Sequence, residues 1–242
     1  MAPLTRPLSV EIRKKIFPAV GQRDEIAVLK DIVFQVDPGS FVVITGPSGG
    51  GKTTLLNIIA GLDKNFEGTI DYGDKAEHNL AYVFQSPRLL PWRTVYENIA
   101  LVLPEGDPRR ANIPELLSRV GLTEAANAYP EMISLGMQRR AALARAFVLE
   151  PEFLLMDEPF VSLDDPTAQG LRELLVELWS RRPTTVIFVT HDRAEAVMLA
   201  TRILRLSAPS ASIVQDIPVS LSVADRADRD KVRNEQHRIF GD

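Results

Sequence analysis

One eight-residue segment constrains the fold of this 242-residue chain more than any other part of the sequence. The segment GPSGGGKT, residues 46–53, fits the pattern G-x-x-x-x-G-K-[ST]. A β-branched run at 41–45 precedes it, and a helical pattern over 53–61 follows. Glycines let backbone N–H groups curl around phosphate oxygens, and the helix directs its positive N-terminal end at the same anion. This strand–loop–helix context disfavours a chance glycine-rich turn and predicts a nucleoside triphosphate site.

The segment 46–53, called the phosphate loop below, supplies most of the predicted nucleotide contacts. Lys52 adds a positive charge at the β- and γ-phosphates, where it also serves catalysis. The hydroxyl of Thr53 can ligate Mg²⁺. The predicted nucleotide-binding residues of this region are Gly46, Pro47, Ser48, Gly49, Gly50, Gly51, Lys52, Thr53 and Thr54.

Apolar runs that alternate with helical patterns indicate the fold class. The runs at 41–45, 153–156 and 186–190 are continuously apolar, which is typical of parallel strands buried on both faces. Between them lie helical patterns at 53–61, 138–149, 167–181 and 193–200. This alternation predicts an α/β fold with a largely parallel sheet.

Three regions depart from that alternation. Residues 8–16 and 28–36 have the pattern of antiparallel strands joined by a polar segment at 21–25, and with part of 62–84 they predict an antiparallel β-subdomain. Residues 87–135 contain five prolines and predict a mostly helical insertion in the α/β core. The charged tail from 222 onward predicts a surface helix. We interpret residues 1–242 as one domain with these subdivisions.

Composition excludes several functional classes. The chain carries 28 basic and 32 acidic residues, so it lacks the electrostatic footprint of a dedicated nucleic-acid binder. It contains no cysteine, which excludes disulfides, thiolate nucleophiles and cysteine-ligated metals. Three scattered histidines argue against a histidine-rich zinc site. No apolar run approaches the roughly 18 residues that a transmembrane helix requires.

Two further runs end in residues suited to phosphoryl chemistry. The run at 153–156 ends in Asp157 and Glu158, and such residues project towards the ligand crevice at the carboxyl edge of a parallel sheet. Asp157 is the predicted Mg²⁺-associated carboxylate, and Glu158 is placed to polarise the attacking water. His191 follows the run at 186–190, where an imidazole could hydrogen-bond the γ-phosphate or position water, although a lone histidine is more often structural.

Together these residues resemble the nucleotide-binding subunits of ABC transporters, over roughly residues 8–220. The phosphate loop is followed by YVFQ at 82–85, similar to the Q-loop, and by ISLGMQ at 133–138, similar to the signature LSGGMQ. Residues 157–159 resemble the end of the Walker B motif, 162–164 the D-loop, and 191–192 the switch histidine. The motifs stand in the family's order. The resemblance implies a P-loop NTPase core with an antiparallel β-subdomain and an inserted α-helical subdomain.

The resemblance also implies how the site works. In the family, two subunits enclose two ATP molecules head to tail, each between one phosphate loop and the opposite signature. Ser134, Gly136 and Gln138 would then serve the ATP across the dimer. Gln85 would sense Mg²⁺ and the water and link to the membrane subunit, which makes Thr53, Gln85 and Asp157 the implied metal set. Phe17 stands where an aromatic stacks on adenine, with an ordinary core phenylalanine as the alternative.

The implied subgroup is the importer subunits for nitrate, sulfonates, taurine and related small compounds. The stretch between Gly68 and Gln85 is short, as in that subgroup, and PRLLPWRTV at 87–95 and the stretch 174–179 are similar to its segments. The implied partners are a second nucleotide-binding subunit, in a homodimer, and transmembrane permease subunits that dock at the Q-loop and residues 89–92. An extracytoplasmic substrate-binding protein would act indirectly, and no nucleic acid is implied. The implied location is the cytoplasmic face of the plasma membrane.

Leu135 departs from the family pattern, which carries two adjacent glycines in the signature. Glycine permits close backbone approach and unusual φ values, whereas leucine restricts both. In one interpretation its side chain turns away, and Ser134 with Gly136 suffice. In the other it crowds the γ-phosphate and makes the subunit slow or dependent on a partner chain with an intact signature.

Two other functional classes compete with a transport motor. A soluble ABC ATPase of DNA repair needs a long coiled-coil insertion, and only 81 residues separate Lys52 from Ser134; cluster-assembly ATPases would lack the Leu-Leu-Pro-Trp feature at 89–92. A regulatory subunit that binds ATP without useful turnover is compatible with Leu135, but Glu158 and His191 count against it.

Overall fold

The computed structural model describes residues 6–18, 25–73, 78–182, 184–222 and 225–241. The chain divides into a first compact unit, residues 1–77 and 185–242, and a second, residues 78–184. The polar link predicted at 21–25 lies outside the described residues except for Glu25.

The described strands and α-helices follow one another in the alternating order that the sequence predicts. They are β1 (Leu8–Phe17), β2 (Ile26–Val36), β3 (Phe41–Thr45), α1 (Lys52–Ile59), β4 (Glu67–Asp71), β5 (Leu80–Val83), α2 (Val95–Ala100), α3 (Ile113–Arg119), α4 (Leu135–Phe147), β6 (Phe153–Asp157), α5 (Asp165–Arg181), β7 (Thr185–Val189), α6 (Arg193–Leu199), β8 (Arg202–Leu206), β9 (Ile213–Pro218) and α7 (Arg229–Phe240).

An antiparallel sheet forms the amino-terminal part of the first unit. Its strand order is β2-β1-β4, and β1 pairs with both neighbours in the antiparallel sense. Leu8, Val10 and Ile12 are buried while Glu11 is exposed, so side chains alternate between the two faces as the pleat requires. The antiparallel strands predicted at 8–16 and 28–36 are confirmed, and both extend slightly beyond those bounds.

Parallel strands form the core of the first unit. β3 lies between β7 and β8 and pairs with both in parallel, while β9 joins β8 in the antiparallel sense. Every residue of β3 and β7 is buried. These strands carry continuous apolar runs because both of their faces are covered. The parallel strands predicted from those runs are therefore confirmed.

The second unit pairs two parallel strands with four helices. β5 and β6 are in register from Leu80 opposite Phe153 to Val83 opposite Met156, and all of β6 is buried. Helices α2 and α5 both pack against α4. The strand predicted at 153–156 is confirmed as part of β6.

The prediction that residues 87–135 are mostly helical was wrong in extent. Helices α2 and α3 and the short 3₁₀ segments Pro108–Asn112 and Pro130–Met132 account for the helical residues, and 87–94 are irregular. Proline lacks the N–H that a helix interior needs but fits its first turn. Pro108, Pro114 and Pro130 accordingly stand in the first turns of short helices, so they divide the region.

Two predicted helix boundaries also needed correction. Helix α4 begins at Leu135 instead of 138, because Ser134 caps it by accepting a hydrogen bond from the backbone N–H of Met137. Helix α1 ends at Ile59, and Gly61 follows with a φ of 70°, in the left-handed region that glycine adopts readily at helix ends. The signature residues therefore form the first turn of α4.

Helix α7 lies within the tail that the sequence marks as charged. Asp228 caps it by accepting hydrogen bonds from the N–H groups of Asp230 and Lys231. Val232 and Ile239 are buried, whereas most of its charged residues are exposed. The helix is therefore amphipathic, with one side packed against α6.

Asn98 organises the irregular residues that precede α2. Its side chain is fully buried, and its Nδ2 lies 3.1, 3.0 and 2.9 Å from the carbonyl oxygens of Leu90, Arg93 and Thr94. Its Oδ1 accepts a hydrogen bond of 2.7 Å from the N–H of Leu90. One amide group therefore satisfies both backbone polar atoms of Leu90 and fixes segment 90–94 to the helix.

Replacing Asn98 by alanine should lower the free energy of unfolding by roughly 2–4 kcal/mol, because buried backbone groups would lose their partners. Urea denaturation measures this change. The matched control is Asn112→Ala, since Asn112 is exposed and its side chain makes no capping bond. Equal loss of stability in the two variants would contradict the role assigned to Asn98.

Candidate nucleotide-binding site

The phosphate loop connects β3 to α1 in the first unit. Lys52 is the first residue of α1 and is 6% exposed. Its Nζ donates hydrogen bonds of 2.9 Å to the carbonyl oxygens of Gly46 and Pro47. The ammonium group therefore lies inside the curve of the loop, where a phosphate bound to the loop would meet a positive charge.

Close neighbours require glycine at two positions of this loop. A Cβ on Gly51 would lie 2.8 Å from Leu29 Cδ2 and 2.9 Å from Val28 Cγ1, and the φ of Gly51 is +77°. A Cβ on Gly46 would lie 2.9 Å from the carbonyl oxygen of Leu206. The loop is therefore confined by β2 on one side and by β8 on the other.

The amino-terminal half of the phosphate loop opens onto a cavity of about 360 Å³. His191 lines the same cavity as Gly46, Pro47 and Ser48. Arg193 and Arg205 add positive charge to its wall, and the Thr45 Oγ1, which is buried, has no hydrogen-bond partner among the described residues. Arginines, a histidine and loop N–H groups form a cationic cavity suited to phosphate.

The turn that carries His191 is fixed by residues that the sequence analysis missed. Thr190 Oγ1 donates a hydrogen bond of 2.7 Å to the buried Glu195 Oε2 and accepts one of 3.0 Å from the N–H of Asp192. Asp192 in turn caps α6 by accepting from Ala194 and Glu195. The pattern Asp192-x-x-Glu195 could have marked this helix start, but nothing in the sequence shows that Glu195 turns inward.

Phe17 ends β1 and is 43% exposed. The alternative of an ordinary core phenylalanine is therefore wrong. The ammonium of Lys15 stands 4.9 Å from the centroid of the ring. An exposed aromatic ring of this kind offers a surface on which a planar base can stack.

The two predicted carboxylates lie in the second unit. Asp157 is the last residue of β6 and is 6% exposed, and Glu158 follows with a φ of +43°. Left-handed backbone at a residue other than glycine is strained and concentrates at functional sites. Burial, reinforced by the charge of Asp157, raises the pKa of Tyr82 well above its usual value. Gln85 is exposed two residues after β5, the neighbour of β6.

The signature residues occupy the first turn of α4. The Oγ of Ser134 accepts the capping bond described above, and Leu135 is 41% exposed. Gly136 is buried, and a Cβ there would lie 2.7 Å from Thr167 Cγ2 of α5. Gln138 Nε2 donates to the carbonyl oxygens of Pro130 and Ile133, so this amide holds the segment that precedes the helix.

Arg139 links α4 to the turn after the carboxylates, a role that the sequence analysis missed. It is 7% exposed, and its guanidinium donates to the carbonyl oxygens of Pro159 and Val161. Burial lowers the pKa of Arg139. Hydrogen bonds from Thr167 hold the pKa of the Asp164 carboxyl below its usual range as it caps α5. The sequence gives no periodic signal for a buried arginine in this position.

Among the described residues, no group of three or more His, Asp or Glu side chains could hold a metal ion. Mg²⁺ prefers one or two protein ligands together with phosphate oxygens and water. The donors at Thr53 and Asp157 fit that preference better than they fit a closed protein cage.

Comparison with known proteins decides the family. Residues 29–161 match the ABC transporter family. The chain belongs to the ABC transporter family. It is an ATP-binding transporter subunit and an ATPase.

Two relatives of this ABC subunit share most of its length. The aliphatic sulfonates import ATP-binding protein SsuB of Bacillus subtilis is 39% identical over 220 residues, which is 89% of this chain and 86% of that protein. SsuB 1 of Streptomyces avermitilis is 47% identical over 181 residues, 75% of this chain and 68% of that protein.

Two solved cassettes share the fold of this ABC subunit. A dimeric ATP-binding cassette in a post-hydrolysis state with ADP and Pi has a TM-score of 0.75 at 30% identity, covering 89% of this chain and all of that one. A dimeric bacterial ABC transporter cassette has a TM-score of 0.76 at 30% identity, with the same coverage. The predicted α/β fold is thereby confirmed. In the part of the chain that the structure describes, no helix is long and apolar enough to cross a membrane.

Replacing Gly136 by alanine should lower the free energy of unfolding by about 1–3 kcal/mol, because the new methyl group overlaps Thr167 Cγ2. Chemical denaturation measures the change. The double variant Gly136→Ala/Thr167→Ser removes the opposing methyl group and should recover most of the loss. No recovery in the double variant would show that the contact with α5 does not determine the glycine.

Proposed function

We propose that this chain is the ATP-hydrolysing subunit of an importer for aliphatic sulfonates or closely related small organic anions. The observation that carries the proposal is the 39% identity to a sulfonate-import ATP-binding protein over 86% of that protein's length. The segment 87–95, similar to that subgroup in the sequence, agrees with it. Cargo selection itself would belong to the partner subunits.

The residues divide the chemistry of ATP hydrolysis as follows. Lys52 and the N–H groups of the phosphate loop bind and neutralise the phosphates. Thr53 and Asp157 act as Mg²⁺ ligands, and Gln85 senses the ion and the water. Glu158 polarises the attacking water, and His191 hydrogen-bonds the γ-phosphate. The position of His191 in the cavity of the phosphate loop supports its part of this assignment.

A second copy of the chain completes the site. Ser134 and the backbone of Gly136 would contact the γ-phosphate bound to the opposite subunit, and the two similar solved cassettes are dimeric. Leu135 does not obstruct this arrangement, because its side chain is 41% exposed at the start of α4 and points away from the buried Gly136. This geometry favours the interpretation in which leucine is tolerated.

Permease subunits would dock at residues 89–92. Trp92 is 68% exposed, and leaving so large an apolar side chain in water is unfavourable by roughly 1.5–3 kcal/mol. Asn98 fixes the backbone beneath it, so the exposed ring is presented on a rigid segment. The subunit would therefore work at the cytoplasmic face of the membrane that holds its permease.

The Glu158→Gln variant should form an ATP-dependent dimer and lose at least about a hundredfold in turnover, because the amide cannot polarise water. Light scattering with and without Mg-ATP gives the oligomeric state, and phosphate release gives the turnover. The matched control is Glu152→Gln, at the edge of β6 outside the predicted site. A persistent monomer that still binds ATP would contradict the self-sufficient homodimer, and unchanged turnover would contradict the role of Glu158.

The cargo is tested by uptake in cells that lack this chain. Loss of the chain should abolish uptake of a radiolabelled alkanesulfonate, and the wild-type chain should restore it. The Glu158→Gln chain should not restore it, because import depends on hydrolysis. Equal uptake of the sulfonate with and without the chain would overturn the assigned cargo while leaving the ATPase assignment intact.

A further inference from the structure

The carboxyl end of β1 is held at an irregularity of the amino-terminal sheet. Lys15 pairs with Leu29 and Ile16 pairs with Ala27, so Val28 is an extra residue on β2. Such a bulge bends the strands and re-aims the side chains beside it. Phe17, the exposed aromatic residue, follows directly.

Lys15 is a buried cation beside that ring. Its residue is 3% exposed, and its Nζ lies 2.8 Å and 2.7 Å from the two carboxylate oxygens of Asp63. The same Nζ donates a hydrogen bond of 2.7 Å to the carbonyl oxygen of Asn65. With these contacts the ammonium is fixed in place 4.9 Å from the centroid of Phe17. A cation over the face of an aromatic ring attracts it and restrains its orientation.

The partners of Lys15 belong to the loop that leaves α1. The N–H groups of Leu62 and Asp63 both donate to the carbonyl oxygen of Asn57 in that helix, at 2.9 and 3.1 Å. Asp63 Oδ1 also accepts a hydrogen bond of 3.0 Å from the N–H of Asn65. Lys15 is therefore tied to a loop that is itself fastened to the carboxyl end of α1.

The same sheet also touches the amino end of α1. A Cβ on Gly51 would lie 2.9 Å from Val28 Cγ1, so the bulged residue closely approaches the phosphate loop. The end of β1 is thus connected to α1 at both ends, through Val28 at the phosphate loop and through Lys15 beyond the last turn. A rigid helix between two such contacts fixes the distance from the Phe17 ring to the phosphates.

We propose that Lys15 is a positioning residue for the purine base of the bound nucleotide. It covers one face of the Phe17 ring, holds the ring at a set distance from the phosphate loop, and leaves the opposite face for the base. Ordering the ring before binding reduces the entropy lost when the base stacks. This inference rests on the proposed stacking of the base on Phe17. The competing account is that Lys15 forms only a structural ion pair with Asp63.

Calorimetric titration with ADP and with inorganic pyrophosphate separates the two accounts, since only ADP carries a base. Lys15→Met keeps the length of the side chain but removes its charge, and should weaken ADP binding about fivefold with pyrophosphate affinity unchanged. Lys15→Arg should restore binding to within about twofold of wild type, because it keeps a cation over the ring. The matched control is Lys14→Met, since Lys14 is the exposed neighbour on the same strand.

A double-mutant cycle with Phe17→Ala tests whether Lys15 acts through the ring. If it does, Lys15→Met should have little further effect on ADP affinity in the Phe17→Ala background. Equal weakening of ADP and pyrophosphate by Lys15→Met, or undiminished ADP affinity, would overturn the inference alone. ADP affinity that is unchanged by Phe17→Ala would overturn the stacking on Phe17 and the inference with it.

The second variant Asp63→Asn covers the case in which Lys15→Met does not fold. It keeps the cation and weakens its anchor, and should weaken ADP binding in the same direction with pyrophosphate affinity again unchanged. A folded Asp63→Asn protein that binds ADP as tightly as wild type would count against the anchoring role of the pair.

Discussion

The first unit depends on how closely β2 and β8 approach the loop between β3 and α1. Side-chain atoms of Val28 and Leu29 and the backbone of Leu206 occupy the space that a Cβ at Gly51 or Gly46 would need. The chain can therefore pass only with glycine at these positions, and the loop is held in one conformation. Lys52 strengthens this by bonding to two carbonyl oxygens of the loop from within. Backbone N–H groups and one ammonium group are thus arranged before any phosphate arrives, which is the condition for strong anion binding without reorganisation.

The second unit is organised by bonds from side chains to the backbone. Ser134 starts α4, Arg139 of that helix holds the carbonyl groups of Pro159 and Val161, and Asp164 starts α5. Because Glu158 has left-handed backbone, it needs surroundings that determine its position, and the anchored residues 159–161 provide them. Asn98 does the same for segment 90–94, where Trp92 is exposed. In each case a few buried polar groups fix an irregular segment that carries a proposed contact.

The sequence was sufficient for the elements with a strong local signal. The strands at 41–45, 153–156 and 186–190 were predicted because burial on both faces leaves a continuous apolar run. Prolines misled the prediction for 87–135, since a proline in a helical pattern can either interrupt a helix or start one. Helix α4 began earlier than its apolar pattern suggested, because the cap at Ser134 precedes that pattern. The order of the motifs was enough to identify the family, although the role of each site residue remains a proposal.

The sequence by itself determined the phosphate loop, the carboxylates after an apolar strand, and the histidine after another, since each depends on residue types at short fixed spacings. The tertiary structure decided which residues surround them. Glu195 turns inward to Thr190, Arg139 reaches the carbonyl groups beyond Glu158, and Lys15 joins Asp63 across 48 positions. These contacts join residues whose local patterns read as ordinary surface charge. A charged side chain becomes buried only when distant segments supply its partners, and no short pattern in the sequence records that supply.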